Sequence, residues 1–169
     1  MRTLKLTLLA AAGVAALSSS AFAADLLAPP PAAAVVETSP DWNGGYIGAF
    51  IAGDPVNSAF GLGVDLGVNE LTSGLLFGGE LEGTWYNSGV TSAQITGKLG
   101  TAFGDSAIGY IYSGIGTRSD TSTYAPLGVG VEFKLADNLG LKTEAQYNFD
   151  LSNSAENSAA VKVGLNWHF

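Results

Sequence analysis

The residues best suited to chemistry are two carboxylates that lie two positions apart, Glu80 and Glu82. On a β-strand such residues share one face, which would place their carboxylates roughly 7 Å apart. Two carboxyl groups at about that separation can hydrolyse a glycosidic bond with inversion. Inside a fold the same groups have another role, because buried charges must be paired with opposite charges. Pairing with lysines is therefore the interpretation that the sequence favours.

Other catalytic or metal-binding groups are scarce. The sequence contains one histidine, His168, and no cysteine. A single histidine without cysteine does not make a typical zinc site, and no hydrolytic triad forms around it. The glycine-rich run from Gly61 to Gly67 lacks the GxGxxG spacing of a dinucleotide site. We therefore predict that the protein is not an enzyme, with no catalytic residue, no metal and no cofactor.

Residues 1–23 have the layout of a cleavable secretory signal. Arg2 and Lys5 form a basic start, residues 6–17 are apolar, and Ala21-Phe22-Ala23 supplies small residues before the cleavage site. The apolar run is shorter than the roughly 20 residues of a spanning helix. Cleavage would leave five basic residues against all fifteen acidic ones, a formal charge of −10. Such a chain is a poor nucleic-acid binder, because lysine and arginine carry that affinity.

Residues 24–41 read as a tether. They include Pro29-Pro30-Pro31 and Ala32-Ala33-Ala34 and show no periodic pattern. Proline-rich segments are extended and stiff, so this one would reach on the order of 50 Å. We predict no packed structure in it.

From residue 42 onward the sequence has the alternation of β-strands. In residues 159–169 the odd positions are all apolar, whereas the even ones include Lys162, Asn166 and His168. The same pattern predicts eight strands near 42–52, 57–68, 72–86, 90–103, 107–117, 124–135, 139–150 and 158–169. Strands 42–52 and 107–117 are ambiguous, because both of their faces carry apolar residues. A turn is predicted at Asn69-Glu70, on the same side as both termini.

These features predict an all-β fold, an eight-stranded antiparallel up-and-down transmembrane barrel over residues 42–169. The chain has 23 glycines and only 13% charged residues, and without a spanning helix only a closed barrel satisfies the backbone in lipid. Trp42, Trp167 and Phe169 would face lipid at the terminal rim, with Trp85 and Phe149 near the other rim. A soluble lipocalin-like barrel in the periplasm is the alternative, with its faces reversed.

The polar face predicts a lumen in which acids and bases neutralise each other. An eight-stranded barrel is just wide enough inside for its own side chains, and buried charges require partners. We therefore expect a plugged lumen, with a narrow pore for small solutes as the alternative. The predicted network consists of Asp65, Glu80, Glu82, Lys98, Glu132, Lys134, Lys142, Glu144 and Lys162.

Both ends of the chain resemble a known family. The segments Ala21–Leu26 and Asp41–Gly48, joined by the tether, look like the start of alphaproteobacterial small outer-membrane β-barrel proteins, the porin-family or outer-membrane immunogenic proteins. Residues 163–169 are similar to that family's last strand. The resemblance implies a place in the outer-membrane lipid and a role in envelope integrity. It also implies that the barrel assembly machinery reads Leu165, Trp167 and Phe169. In some members Ala-Asp at the mature N-terminus is joined to peptidoglycan, which here would be Ala24 and Asp25.

Overall fold

The computed structural model describes residues 42–152 and 157–169, and in them one antiparallel sheet closes on itself. Each strand pairs with its sequence neighbours, and the first pairs with the last. The predicted fold class is confirmed. The predicted signal segment, the tether, Ala24 and Asp25 lie outside the described residues. The eight strands are β1 (Gly44–Asp54), β2 (Ala59–Thr72), β3 (Leu75–Tyr86), β4 (Thr91–Phe103), β5 (Ala107–Arg118), β6 (Thr123–Ala136), β7 (Leu139–Asp150) and β8 (Ser158–His168).

Apolar side chains cover the outside of the barrel. Leu62 is 58% exposed, Ile95 54% and Val129 56%, and polar residues alternate with such positions toward the inside. Near the strand ends the outward aromatics Trp85 and Trp167 are 55% and 54% exposed. A soluble barrel needs the opposite arrangement, so the lipocalin-like alternative is wrong. The outer surface is suited to lipid.

No helix among the described residues is long and apolar enough to cross a membrane.

The turn between β2 and β3 lies further along the chain than the sequence predicts. It consists of Ser73 and Gly74, with φ angles of 54° and 82°, as a two-residue turn of the mirror-image type requires. The prediction of a turn at Asn69-Glu70 is wrong, because the in–out alternation continues through both residues. Asn69 points inward and is only 6% exposed.

Trp42 lies inside the mouth of the barrel at the end that holds the C-terminus. Its side chain is only 4% exposed, and its ring contacts the His168 ring edge-on at a centroid distance of 5.4 Å. The prediction that Trp42 faces lipid is therefore wrong. It belongs to a buried apolar cluster with Leu76 and Ile108, which fills this end of the lumen.

Aromatic rings and glycines are paired across neighbouring strands in the lumen. Each of five inward rings lies over the glycine directly opposite it, in the space where a Cβ atom would stand. This arrangement lets large rings fit into a narrow barrel, because the facing residue contributes only backbone. The rings come from β1, β5 and β6. The pairs are Tyr46 with Gly67, Phe50 with Gly63, Tyr110 with Gly130, Tyr112 with Gly128, and Tyr124 with Gly116.

Candidate functional site: the charged lumen

Three buried lysines cross the middle of the lumen. Lys98 on β4, Lys142 on β7 and Lys162 on β8 are 5%, 0% and 1% exposed. Each occupies an inward position of a strand that alternates regularly between the two faces. Alternation along the strands therefore brings the ammonium groups together in a space with little access to water.

Glu80 on β3 is the centre of one part of the network. Its Oε2 atom lies 2.7 Å from Lys98 Nζ and 3.1 Å from Lys142 Nζ, and it accepts a hydrogen bond of 2.8 Å from the Tyr46 hydroxyl. Lys142 also contacts Asp65 on β2, with 2.6 Å between Nζ and Oδ2. One carboxylate oxygen therefore joins β1, β3, β4 and β7.

Glu82 and Glu144 form the neighbouring part. Lys162 Nζ lies 2.5 Å from Glu82 Oε2 and 3.5 Å from Glu144 Oε2. Lys98 Nζ lies 3.9 Å from Glu144 Oε1, which accepts a 2.8 Å hydrogen bond from the Tyr110 hydroxyl. The structure thus places both Glu80 and Glu82 beside lysines, as the pairing interpretation expects.

Two members of the predicted network have other partners. Lys134 Nζ lies 3.6 Å from Asp137 Oδ1 in the turn after β6, and the Asp137 side chain is 85% exposed. The assignment of Lys134 to the lumen network is wrong, because this residue precedes a register shift at the end of β6 and its long side chain reaches the turn. Glu132 is buried, but it is paired with His168 instead of a lysine, at 2.6 Å between Oε1 and Nε2.

A belt of amides, which the sequence interpretation missed, crosses the lumen nearer the longer loops, among them those that follow β1, β3 and β5. Gln94 and Gln146 exchange two hydrogen bonds of 3.1 Å. Asn148 donates to Ser158 Oγ at 3.0 Å, and Arg118 donates to the same oxygen at 2.8 Å. The signal was present, because these amides occupy even positions on the polar faces of β4 and β7.

A cavity of about 350 Å³ opens at this end of the barrel. Its lining includes Arg118, Tyr124, Asn148 and Ser158, and it extends to Glu82. Asp120 lies at its edge, in the loop after β5, and its carboxylate accepts hydrogen bonds from the Ser122 amide at 2.9 Å and the Ser122 hydroxyl at 2.6 Å. These hydrogen bonds hold the pKa of Asp120 below its ordinary value.

Three carboxylates in the network are close enough to suggest a metal site. Ligand oxygens of Glu80, Glu82 and Glu144 lie within 4.8 Å of one another. Lysine ammonium groups already contact all three carboxylates. Cations that belong to the protein therefore fill the role that a metal ion would take.

The three residues of the predicted assembly signal lie on the outside of the last strand and just beyond it. Leu165, Trp167 and Phe169 are 46%, 54% and 70% exposed. The Phe169 amide donates to Gly45 O at 2.9 Å, where β8 closes against β1. Their side chains are therefore available to lipid or to another protein.

No family profile matches this sequence. No curated protein gives a significant sequence match.

Solved structures with the same fold are small membrane barrels. A de novo designed transmembrane β-barrel is 14% identical over 74% of this chain and 94% of its own, with a TM-score of 0.59. The outer membrane enzyme PagL is 14% identical over 73% of this chain and 99% of its own, with a TM-score of 0.59. The N-terminal β-barrel domain of Pseudomonas aeruginosa OprF is 16% identical over 75% and 98%, also with a TM-score of 0.59. The described residues therefore have the fold of a small bacterial outer-membrane β-barrel, with a surface suited to lipid.

Proposed function

We propose that this protein is a structural component of the outer membrane, with a lumen closed to solutes and no catalytic activity. The observation that carries the proposal is the set of three buried lysines in the lumen. Lys142 reaches from β7 to Asp65 on β2, which lies three strands away around the ring. Lys98 reaches from β4 toward Glu144 on β7, again three strands away. Such bridges fill the cross-section.

A solute that permeates the barrel would have to displace the buried ion pairs of the lumen. Lys142 and Glu80 are 0% and 3% exposed, so water does not replace their mutual contacts when these are broken. Separating a buried ion pair leaves uncompensated charges and costs several kcal/mol per pair. The aromatic–glycine pairs occupy space around the same charges. The closed state should therefore persist, without frequent opening.

Single-channel recording in planar bilayers tests this proposal. We expect the full barrel to show no steady openings. The comparator variant combines Trp42→Ala with Asp65→Ala, Lys142→Ala, Glu82→Ala and Lys162→Ala, which removes two acids and two bases and keeps the net charge. We expect small, steady conductance steps from this variant, once its heat-dependent mobility in SDS gels shows that it has folded. Steady openings of the unmodified protein would refute the closed lumen.

A narrow pore is the second candidate function. The cavity of about 350 Å³ favours it, because this space extends from the loops to Glu82. The same recordings decide between the two functions. If the barrel conducts, a preference for cations over anions would indicate that the surplus of lumen carboxylates lines the pore.

The absence of catalysis is also part of the proposal, because the fold alone does not decide it. PagL, with the same fold, is an outer membrane enzyme. In support, the only histidine of the chain is bonded to Glu132, and Glu80 and Glu82 are bonded to lysines. Incubation of the refolded protein with outer-membrane lipids should leave their masses unchanged. A new lipid product that depends on His168 would contradict this part.

Attachment to peptidoglycan is proposed from the resemblance in the N-terminal sequence. The mature chain would begin at Ala24-Asp25, and the tether would provide the reach to the cell wall. Mass spectrometry of muropeptides released by lysozyme should find peptides that carry this N-terminus. An Ala24→Glu, Asp25→Lys variant is the control, and finding only free Ala24 in the unmodified protein would refute the attachment.

A further inference from the structure

Asn166 lies between two carboxylates in the buried lumen. Its Nδ2 atom donates to Glu132 Oε2 at 2.9 Å. Its Oδ1 atom lies over Gly48 together with Asp65 Oδ1, and both oxygens contact the position where a Cβ on Gly48 would stand. Neither oxygen has a hydrogen-bond donor among the described residues. Asn166 and Asp65 are 0% and 3% exposed, so two acceptor oxygens are neighbours in a nearly dry site.

If the amide oxygen and nitrogen of Asn166 exchange places, an acceptor oxygen still faces a carboxylate oxygen without a donor between them. Nδ2 would then lie beside Asp65 Oδ1 over Gly48, and Oδ1 would face Glu132 Oε2 across the present 2.9 Å contact. An amide group has one acceptor atom and one donor atom. Between two ionised carboxylates it can satisfy only one of them, and a buried acceptor without a donor is costly. A proton on either carboxyl group supplies the missing donor.

The charges around Asp65 and Glu132, the two carboxylates on either side of Asn166, also favour the binding of a proton. The groups that face it are Lys142 beside Asp65 and His168 beside Glu132. Lys142 is shared with Glu80, which also binds Lys98 and Tyr46. Among the described residues, the buried side chains of the lumen comprise five carboxylates, three lysines and one histidine. Even when His168 is protonated, one negative charge is in excess. The carboxylates are Asp65, Glu80, Glu82, Glu132 and Glu144.

We propose that Asp65 and Glu132, bridged by Asn166, bind one proton between them at neutral pH. The protonated carboxyl donates its O–H to Asn166 Oδ1, and the orientation of the amide selects which carboxyl carries the proton. Gly48 is part of this site, because any Cβ would occupy the place of the two oxygens. The two carboxylates bind this proton whether or not the lumen conducts.

Infrared spectroscopy of the folded protein in lipid tests the proposal directly. We expect the carbonyl band of a protonated carboxylic acid at neutral pH. Asp65→Asn and Glu132→Gln both imitate the protonated form and should each abolish this band. The double variant Glu82→Gln, Lys162→Met removes one acid together with its paired base, so it keeps the charge balance of the lumen, and as the matched control it should keep the band. Absence of the band from the unmodified protein, or its survival in both bridge variants, would overturn the proposal in favour of a bridging water or cation.

The pH dependence of unfolding supplies a second measurement. If the folded state holds a proton that the unfolded chain releases, the folding constant falls about tenfold for each unit of rising pH near neutrality. Asp65→Asn should remove this contribution, although Asp65 does not contact His168. If the slope remains unchanged in Asp65→Asn and disappears only in Glu132→Gln, the proton belongs to His168 and the bridge site is refuted. Heat-dependent mobility in SDS gels verifies that each variant is folded.

Discussion

Replacing Lys142 with methionine is the sharpest test of the ion network. Methionine keeps the unbranched shape and removes the charge. Lys142 Nζ contacts Asp65 at 2.6 Å and Glu80 at 3.1 Å, and its side chain is 0% exposed. Breaking a buried pair by removing one partner costs about 3–5 kcal/mol. Because Glu80 retains Lys98, most of the loss should come from Asp65, and we expect about 3 kcal/mol, the lower end of that range.

The matched control is Lys134→Met. Its ammonium lies 3.6 Å from Asp137, whose side chain is 85% exposed, and exposed pairs contribute about 0–1 kcal/mol. Urea unfolding in lipid vesicles, followed by tryptophan fluorescence, gives the two free energies. The double variant Lys142→Met, Asp65→Asn should recover part of the loss, because it also removes the stranded carboxylate. Similar costs for Lys142→Met and Lys134→Met would show that water reaches the lumen charges and would refute the reasoning.

Three further predictions concern packing, assembly and a loop carboxylate. Gly128→Ala places a methyl group against the Tyr112 ring and should lower the free energy of unfolding by about 1–3 kcal/mol; the double variant with Tyr112→Ala should not show the two losses adding. Phe169→Ala keeps the hydrogen bond from the residue 169 amide to Gly45 O, so it should change stability in vesicles by less than about 1 kcal/mol but reduce the amount of barrel assembled in cells. Normal assembly in cells would contradict the signal role. The low pKa of Asp120 arises from its hydrogen bonds to Ser122, so Ser122→Ala should move the NMR titration midpoint of Asp120 upward. Any stability from this contact is present above the ordinary carboxyl pKa and is lost as the pH falls through the lowered value.

The strands with charged residues could be predicted well from the sequence. In β7 and β8 the inward positions are polar, charged or small and the outward positions are mostly apolar, so the two-residue period fixes both faces. Lys142, Glu144 and Lys162 were placed in the lumen for this reason. The predicted strand bounds agree with the structure to within four residues, and the largest difference is at the end of β2, which lies at Thr72 instead of 68.

The strands with aromatic residues could not be oriented in the same way. Tyr46, Phe50, Tyr110 and Tyr112 are large aromatic residues, a type that also faces lipid in membrane barrels, so both faces of β1 and β5 look alike. Their inward direction depends on glycines that stand opposite in β2 and β6. Which glycine stands opposite which aromatic ring can be read only when the cross-strand register is known. A search for glycines opposite aromatics in each candidate register would have identified these pairs.

The residues at the strand ends were the least predictable. Trp42 precedes β1, and periodicity does not determine whether a residue outside a strand turns into the mouth or toward lipid. Lys134 occupies an even position, as the inward residues of its strand do, but its flexible side chain reaches the turn. The loss of Lys134 from the network leaves His168 as the only basic partner of Glu132 among the described residues. One misplaced lysine therefore concealed the role of the histidine.

Three layers of side chains occupy the lumen at successive depths. An apolar cluster around Trp42 and Ile108 fills the terminal end, lysines and carboxylates fill the middle, and the Gln94–Gln146 amides lie nearer the longer loops. The cavity at the loop end reaches past the amides to Glu82, so the apolar cluster and the charged layer are the two barriers in series, and removing one of them should leave the other to block passage. Trp42→Ala alone should therefore be silent in bilayer recordings, whereas the combined variant described above should conduct. Conductance of the single Trp42→Ala variant would show that the apolar cluster is the only barrier and that water already passes the charged layer.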